Sequence, residues 1–196
     1  MTPTAFKTRY SGKILATSPS NDLEDDEHQT ILAVSHTLDL IIGIQFNHII
    51  PEHTLQHVSA KIGIDLPGLD PLWFGGPRSQ DKIHVIHSTD WMGTSSVTIT
   101  PDIAVTNDIS ILAAISEGEG PTDYRACAGF WSWPTDDFVK SMSNRRFRNS
   151  QGIIRNPLSW EPVPATPELI FGLQAGATQW QRVLTASAEH QAAKFF

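Results

Sequence analysis

The stretch "LWFGGPRSQDKIHVIHS", residues 72–88, sets two glycines and a proline between an apolar-aromatic run and an alternating run that ends in histidine. A phosphate loop needs successive free backbone N–H groups feeding a helix N-terminus. Pro77 has no N–H, no Lys-Ser/Thr pair follows, and the next residues alternate like a strand. A metal-binding strand needs its ligands on one face, whereas His84 and His87 are three apart and point to opposite faces. The stretch therefore reads as a turn within a core. Gly75 or Gly76 takes a positive φ, and His87, on the same face as Ile83 and Val85, is a hydrogen-bonded, half-buried histidine.

On either side, the chain reads as further strands joined by short connections. "GKILATS" (12–18) is a short apolar strand, and "PSNDLEDDEHQ" (19–29) is a solvated acidic loop without the ligand order of a calcium loop. "TILAVSH" (30–36) and "LIIGIQFN" (40–47) form a hairpin whose apolar runs are continuous enough to be buried on both faces. Residues 51–64 place Leu55, Val58 and Ile62 at helical spacing, with Thr54 as cap. "SVTITPDIAVT" is a strand or hairpin broken at Pro101. "TNDISILAAISEGEGP" is a helix capped by Thr106 or Asn107, facing Ile109, Leu112 and Ile115 inward and ending at Gly118. "YRACAGFWSW" (124–133) is a buried strand. "PTDDFVKSMS" starts a helix with Phe138 and Met142 on one face. Residues 144–167 read as a long irregular loop, "ELIFG" (168–172) as a last short strand, and residues 178–193 as a closing helix with Trp180, Val183 and Leu184 inward.

The expected fold class is α+β. A single compact domain spans 12–193 behind an N-terminal arm at 1–11. It is built on a mixed or mainly antiparallel sheet, or an open barrel, flanked by helices. A chain of 196 residues is long enough for one well-buried core.

Charge and cysteine content narrow the function classes. With 14 Lys+Arg against 21 Asp+Glu, the net charge of −7 sets the chain as a whole against a phosphate backbone. No run of apolar residues reaches the length of a membrane span, the N-terminus lacks a signal-peptide core, and Cys127 is the only cysteine. These features suit a cytoplasmic protein. His48, His53 and His57 form the only histidine cluster, but no Glu follows His53 as a zinc-protease helix requires, so no metal site is assigned. There is no G-x-S-x-G elbow, and Cys127 lies inside an apolar run, so no catalytic residue and no cofactor is assigned. The one basic patch is "NRRFRNSQGIIR", which holds Arg145, Arg146, Arg148 and Arg155 with Phe147 among them. Arginines with an aromatic can contact phosphates and bases, or anchor a protein interface.

Five blocks in order resemble the YqgE/AlgH family. They are "GKILATSP", "VSHTLDLIIGIQFN" with His36, Gly43 and Asn47, "LWFGGPRSQDKIHVIHS", "VTNDISILAAISEGEGPTDYRACAGFWSW", and "SW…PATPELIFG…TQWQRVL". The resemblance covers residues 12 to about 186. It departs after Trp133, where the family continues with a Gly-Gln-Leu-Glu type helix and this chain has a longer, more basic segment. The resemblance implies an α+β fold, a cytoplasmic setting and no established enzymatic activity. Members are commonly described as candidate transcriptional regulators, though no helix-turn-helix is visible here. The expectation is thus a non-enzymatic regulatory protein that binds another protein, with a component of the transcription apparatus as candidate partner. Its expected surface is the 144–155 segment, with Phe147 and Trp160. Two alternatives stand beside it. One is a small-ligand-binding protein or hydrolase using a cleft of His36, Asn47 and His87. The other is direct nucleic-acid binding through the arginines.

Overall fold

The computed structural model describes residues 10–19, 28–51, 71–142, 145–155, 158–172 and 174–194. The expected helix at 51–64, with His53 and His57, and most of the acidic loop lie outside the described residues. One sheet carries the molecule, with strand order β11-β1-β2-β3-β8-β5-β7-β6. Its strands are β1 (Lys13–Thr17), β2 (Thr30–His36), β3 (Leu40–Gln45), β4 (Trp73–Phe74), β5 (Arg78–Ser88), β6 (Val97–Thr100), β7 (Ile103–Thr106), β8 (Tyr124–Pro134) and β11 (Trp160–Pro164). Apart from β4, which runs parallel to β8, every pairing is antiparallel. Among the described residues four helices flank it: α1 (Ser110–Glu117), α2 (Thr135–Ser141), α3 (Pro167–Phe171) and α4 (Gly176–Ala192). The architecture is α+β, with a curled, mainly antiparallel sheet.

The continuous apolar runs of β1–β3 serve two cores. Ile14, Leu32 and Ile44 pack on one face with Trp180 and Val183 of α4, while Leu15, Ile31, Ala33 and Ile41 pack on the other with Phe138 of α2. Both faces being covered removes the polar alternation of a one-sided sheet. Trp180 also donates its indole N–H to Thr17 O (2.7 Å), which pins α4 across β1.

The Gly-Gly-Pro stretch lies where the sheet splits. β3 follows β8 only from Leu40–Pro134 to Gly43–Trp131. Beyond that point β4 takes the same edge of β8, opposite Cys127 and Ala128. Gln45 N–H then reaches Gly75 O (2.9 Å), and Gly75 N–H reaches Ala128 O (2.8 Å). Gly76 takes φ +153 and faces Gly129, which itself takes φ +77. A methyl group on Gly75 would strike the carbonyls of Gly129 and Ala128, and one on Gly129 the carbonyls of Gly76 and Arg78. The turn within a core is therefore a backbone-on-backbone crossing that only glycine permits.

Five local expectations change. "ELIFG" is helical because Thr166 and Pro167 form a helix start, with Pro at the first turn. The stretch read as irregular contains the edge strand β11, masked in sequence by Pro162 and Pro164. These are two apart, so both turn their missing N–H to the open edge while Glu161 and Val163 face β1. Tyr10, assigned to the arm, is buried against Phe138 and stacks on His36. In α1 the buried residue is Ile111 while Ile109 is 61% exposed. The cap position is Ile109 rather than Thr106 or Asn107, and the turn before it is held by Thr106 Oγ1 accepting Asp108 N–H (3.0 Å) and by the Asp108 carboxylate accepting Ser110 N–H (3.0 Å). Gly118 does close the helix, at φ +78.

Candidate functional site

The polar residues singled out in the strands are not gathered into one cleft. His36 pairs with Ile41, level with Trp133, whereas His87 pairs with Tyr124 at the opposite end of β8. His87 is fully buried. Its Nδ1–H donates to Ser88 O (2.8 Å), its ring stands edge-on to Trp91, and burial lowers its pKa. Asn47 uses its whole amide. Its Oδ1 accepts from Thr30 N–H (3.1 Å) and Gln45 Nε2 (3.3 Å), and its Nδ2 donates to His28 O (2.8 Å) and Gly176 O (3.3 Å). These bonds tie the starts of β2 and α4 together. Gly75 and Gly76 are occupied by the crossing with β8. Cys127 is fully buried, which pushes its thiol up to about 12. A thiol so protonated is a poor nucleophile.

Sequence reading missed Arg125. It is the second residue of β8 and is 3% exposed. Its guanidinium donates to the carbonyls of Phe46, Gly172 and Gln174, and lies 3.9 Å from the centroid of the Trp73 ring. Burial lowers its pKa to about 10, which leaves it a cation at neutral pH. The only signal for it was an arginine inside an otherwise apolar strand. Its N–H groups are spent on the chain itself, so it locks the α3–α4 connection onto the sheet.

Among the described residues, clefts open to solvent at two places away from these side chains. One, of about 350 Å³, lies beneath α1 between Ile83, Val85, Ile109 and Leu112. The other, of about 640 Å³, is lined by Asp90, Asp102, Asp123 and Glu168 and carries no basic side chain. Asp90 is drawn down to about 2 by hydrogen bonds from Ser88 and Thr122, which makes it part of the local frame. Among the described residues, no three His, Cys, Asp or Glu side chains are placed to share a metal ion.

The basic patch takes a defined form. Phe147–Arg148 (β9) and Ile154–Arg155 (β10) form a two-stranded hairpin with Ile154 opposite Arg148 and Arg155 opposite Phe147. Arg145, Arg146, Arg148 and Arg155 are exposed, as are Ile153 (47%) and Ile154 (62%), while Phe147 is half-buried. Asp137 of α2 holds the tip by accepting Ser150 N–H (2.9 Å) and its hydroxyl (2.7 Å). Those bonds keep the Asp137 carboxyl below its ordinary pKa. Trp160, expected on this surface, is 4% exposed and packs in the core with Phe138 and Trp133. It belongs to the fold, because its position on β11 turns it under the sheet.

Comparison with known proteins places these features. The model of the AlgH-like family matches residues 14–191. A UPF0301 protein of Novosphingobium aromaticivorans is 30% identical over 177 residues, 87% of this chain and 88% of the relative. One from Sphingopyxis alaskensis is 28% identical over 89% of this chain and 87% of its own length. The solution structure of AlgH from Pseudomonas aeruginosa superposes with a TM-score of 0.66 at 18% identity, covering 96% of this chain and 92% of that one. A crystal structure of a Corynebacterium diphtheriae protein gives 0.61 at 18% identity, over 89% of this chain and 85% of that one.

Proposed function

This chain belongs to the AlgH-like family, and from that premise we propose that it is a non-enzymatic regulatory protein that works by binding another protein through the β9–β10 hairpin. The observation that carries the reading is a charge reversal. Residues 145–155 hold four arginines and no carboxylate; removing them from the net charge of −7 leaves −11 on the rest of the chain. Arginine flanking exposed isoleucine is the composition of a protein-binding patch. Phe147 is half-buried, which leaves less of its ring for stacking on a base than an exposed aromatic offers and weighs against the nucleic-acid reading. The separation of His36 from His87 weighs against the small-ligand reading. A cytoplasmic setting suits a chain with one buried, reduced cysteine. The partner class suggested by the sequence resemblance is a component of the transcription apparatus.

The test is a tagged pull-down from host lysate, with nuclease, comparing the natural chain with the Arg145→Ala, Arg146→Ala, Arg148→Ala, Arg155→Ala variant. A stoichiometric protein partner lost in the variant supports the reading. A partner retained by the variant removes the hairpin from it, and a partner lost on nuclease treatment replaces it with nucleic-acid binding.

A further inference from the structure

The hairpin ends in an open strand edge. Its turn is closed by Asn149 N–H to Ile153 O (2.9 Å), by Asn149 Oδ1 accepting Gln151 N–H (3.1 Å) and Ile153 N–H (2.8 Å), and by Gly152 at φ +77. Counting back from that pair, antiparallel alternation makes Arg148–Ile154 a non-hydrogen-bonded pair. The N–H and C=O of Ile154 therefore point away from β9. Among the described residues no third strand pairs with this sheet. Ile154 thus presents a backbone donor, a backbone acceptor and an exposed side chain together, on a hairpin that Asp137 holds in place.

An open edge of this kind is a template for another strand. The charges decide which strand. Two copies of the hairpin would bring four arginines against four, so like charges oppose pairing with a second copy. A segment bearing carboxylates meets the opposite field. We propose that the hairpin receives an extended acidic segment of a partner protein, added as a third strand on the β10 edge, with a carboxylate beside Arg155 on one face and an apolar side chain against Ile154 on the other. This rests on the interaction reading above and specifies the chemistry of the partner. It is recognition by strand addition, in which main-chain bonds supply affinity and side chains supply selection.

The probe is a fluorescent peptide of about ten residues alternating glutamate and valine, titrated into the full chain and followed by anisotropy. Two N-methylated versions, methylated in the two alternate registers, remove the main-chain donors of one peptide edge or the other. The proposal expects one of them to bind about tenfold more weakly than the parent peptide. It expects Ile154→Asp, an exposed substitution that leaves the fold intact, to weaken the parent peptide by a similar factor. No binding of the parent peptide overturns the proposal, as does equal binding by both methylated peptides, which would mean charge attraction alone. Tighter binding of a single-stranded oligonucleotide of equal charge overturns it too. Failure of the peptide while the lysate partner is still lost in the four-arginine variant refutes strand addition and leaves the interaction reading standing. Retention of that partner by the variant refutes the reading itself.

Discussion

Arg125 gives its guanidinium to three backbone carbonyls and the face of Trp73, whereas Arg145, Arg146, Arg148 and Arg155 are exposed at a two-stranded hairpin, where Arg148 donates to the Gly152 carbonyl of its own turn. The side chain is the same and the consequences are opposite. A buried cation must be fully hydrogen-bonded, and once it is, it fixes whatever carries its acceptors. Here those acceptors are Phe46, after β3, and the connection between α3 and α4. Exposed cations fix almost nothing, because water and salt screen them. What remains to them is the field they present to another molecule. The difference teaches that charge becomes architecture in one region and address in the other, and that burial, not residue type, divides the two.

That contrast can be broken or sharpened at graded cost. The largest effect is expected beside Arg125, at the glycine crossing. Gly129→Val forces a β-branched residue to φ +77 and drives it into the carbonyls of Gly76 and Arg78. A loss of about 4 kcal/mol in urea unfolding is expected; a loss below about 1 kcal/mol would show that the crossing yields easily. Next comes Arg125→Ala, which strands one buried and two partly buried carbonyls and empties the space against Trp73. A loss of about 3 kcal/mol is expected, with protease cleavage appearing first in the α3–α4 connection.

Smaller still is the effect at Asp90, an exposed carboxylate that is nevertheless tied to Ser88 and Thr122. Its folded pKa of about 2 lies below the unfolded value. A depressed carboxyl adds stability above its unfolded pKa and loses it as pH falls through the folded one. The stability difference between the natural chain and Asp90→Asn is therefore expected at pH 6. It stays under about 1 kcal/mol, because the group is screened. It should shrink below about pH 4 and vanish near pH 2. A difference that is constant across that range would contradict the assignment.

Much of the fold was legible in sequence because its signals are local. The β2–β3 hairpin announced itself by two β-branched runs and a three-residue connection, and Gly118 marked the end of α1. The Gly-Gly-Pro stretch could be read as a core turn from what Pro77 lacks. Where reading failed, the deciding contact was distant. β11 exists because β1 offers it an edge, which nothing within "WEPVP" reveals. Trp160 and Tyr10 look like surface aromatics until the sheet closes over them. Arg125 acquires meaning only through carbonyls 79 and 47 residues away. Of the expected surface, the arginines were legible from composition alone. The exposure of Ile153 and Ile154 and the turning-in of Phe147 required the hairpin register.

The central claim, that one arginine builds the fold and four serve the surface, is tested most directly by urea unfolding of the four-arginine alanine variant beside Arg125→Ala. The account predicts that the quadruple variant unfolds within about 0.5 kcal/mol of the natural chain, while the single buried substitution lowers the midpoint sharply. A quadruple variant destabilised as much as Arg125→Ala would contradict it, and would make the hairpin arginines part of the fold.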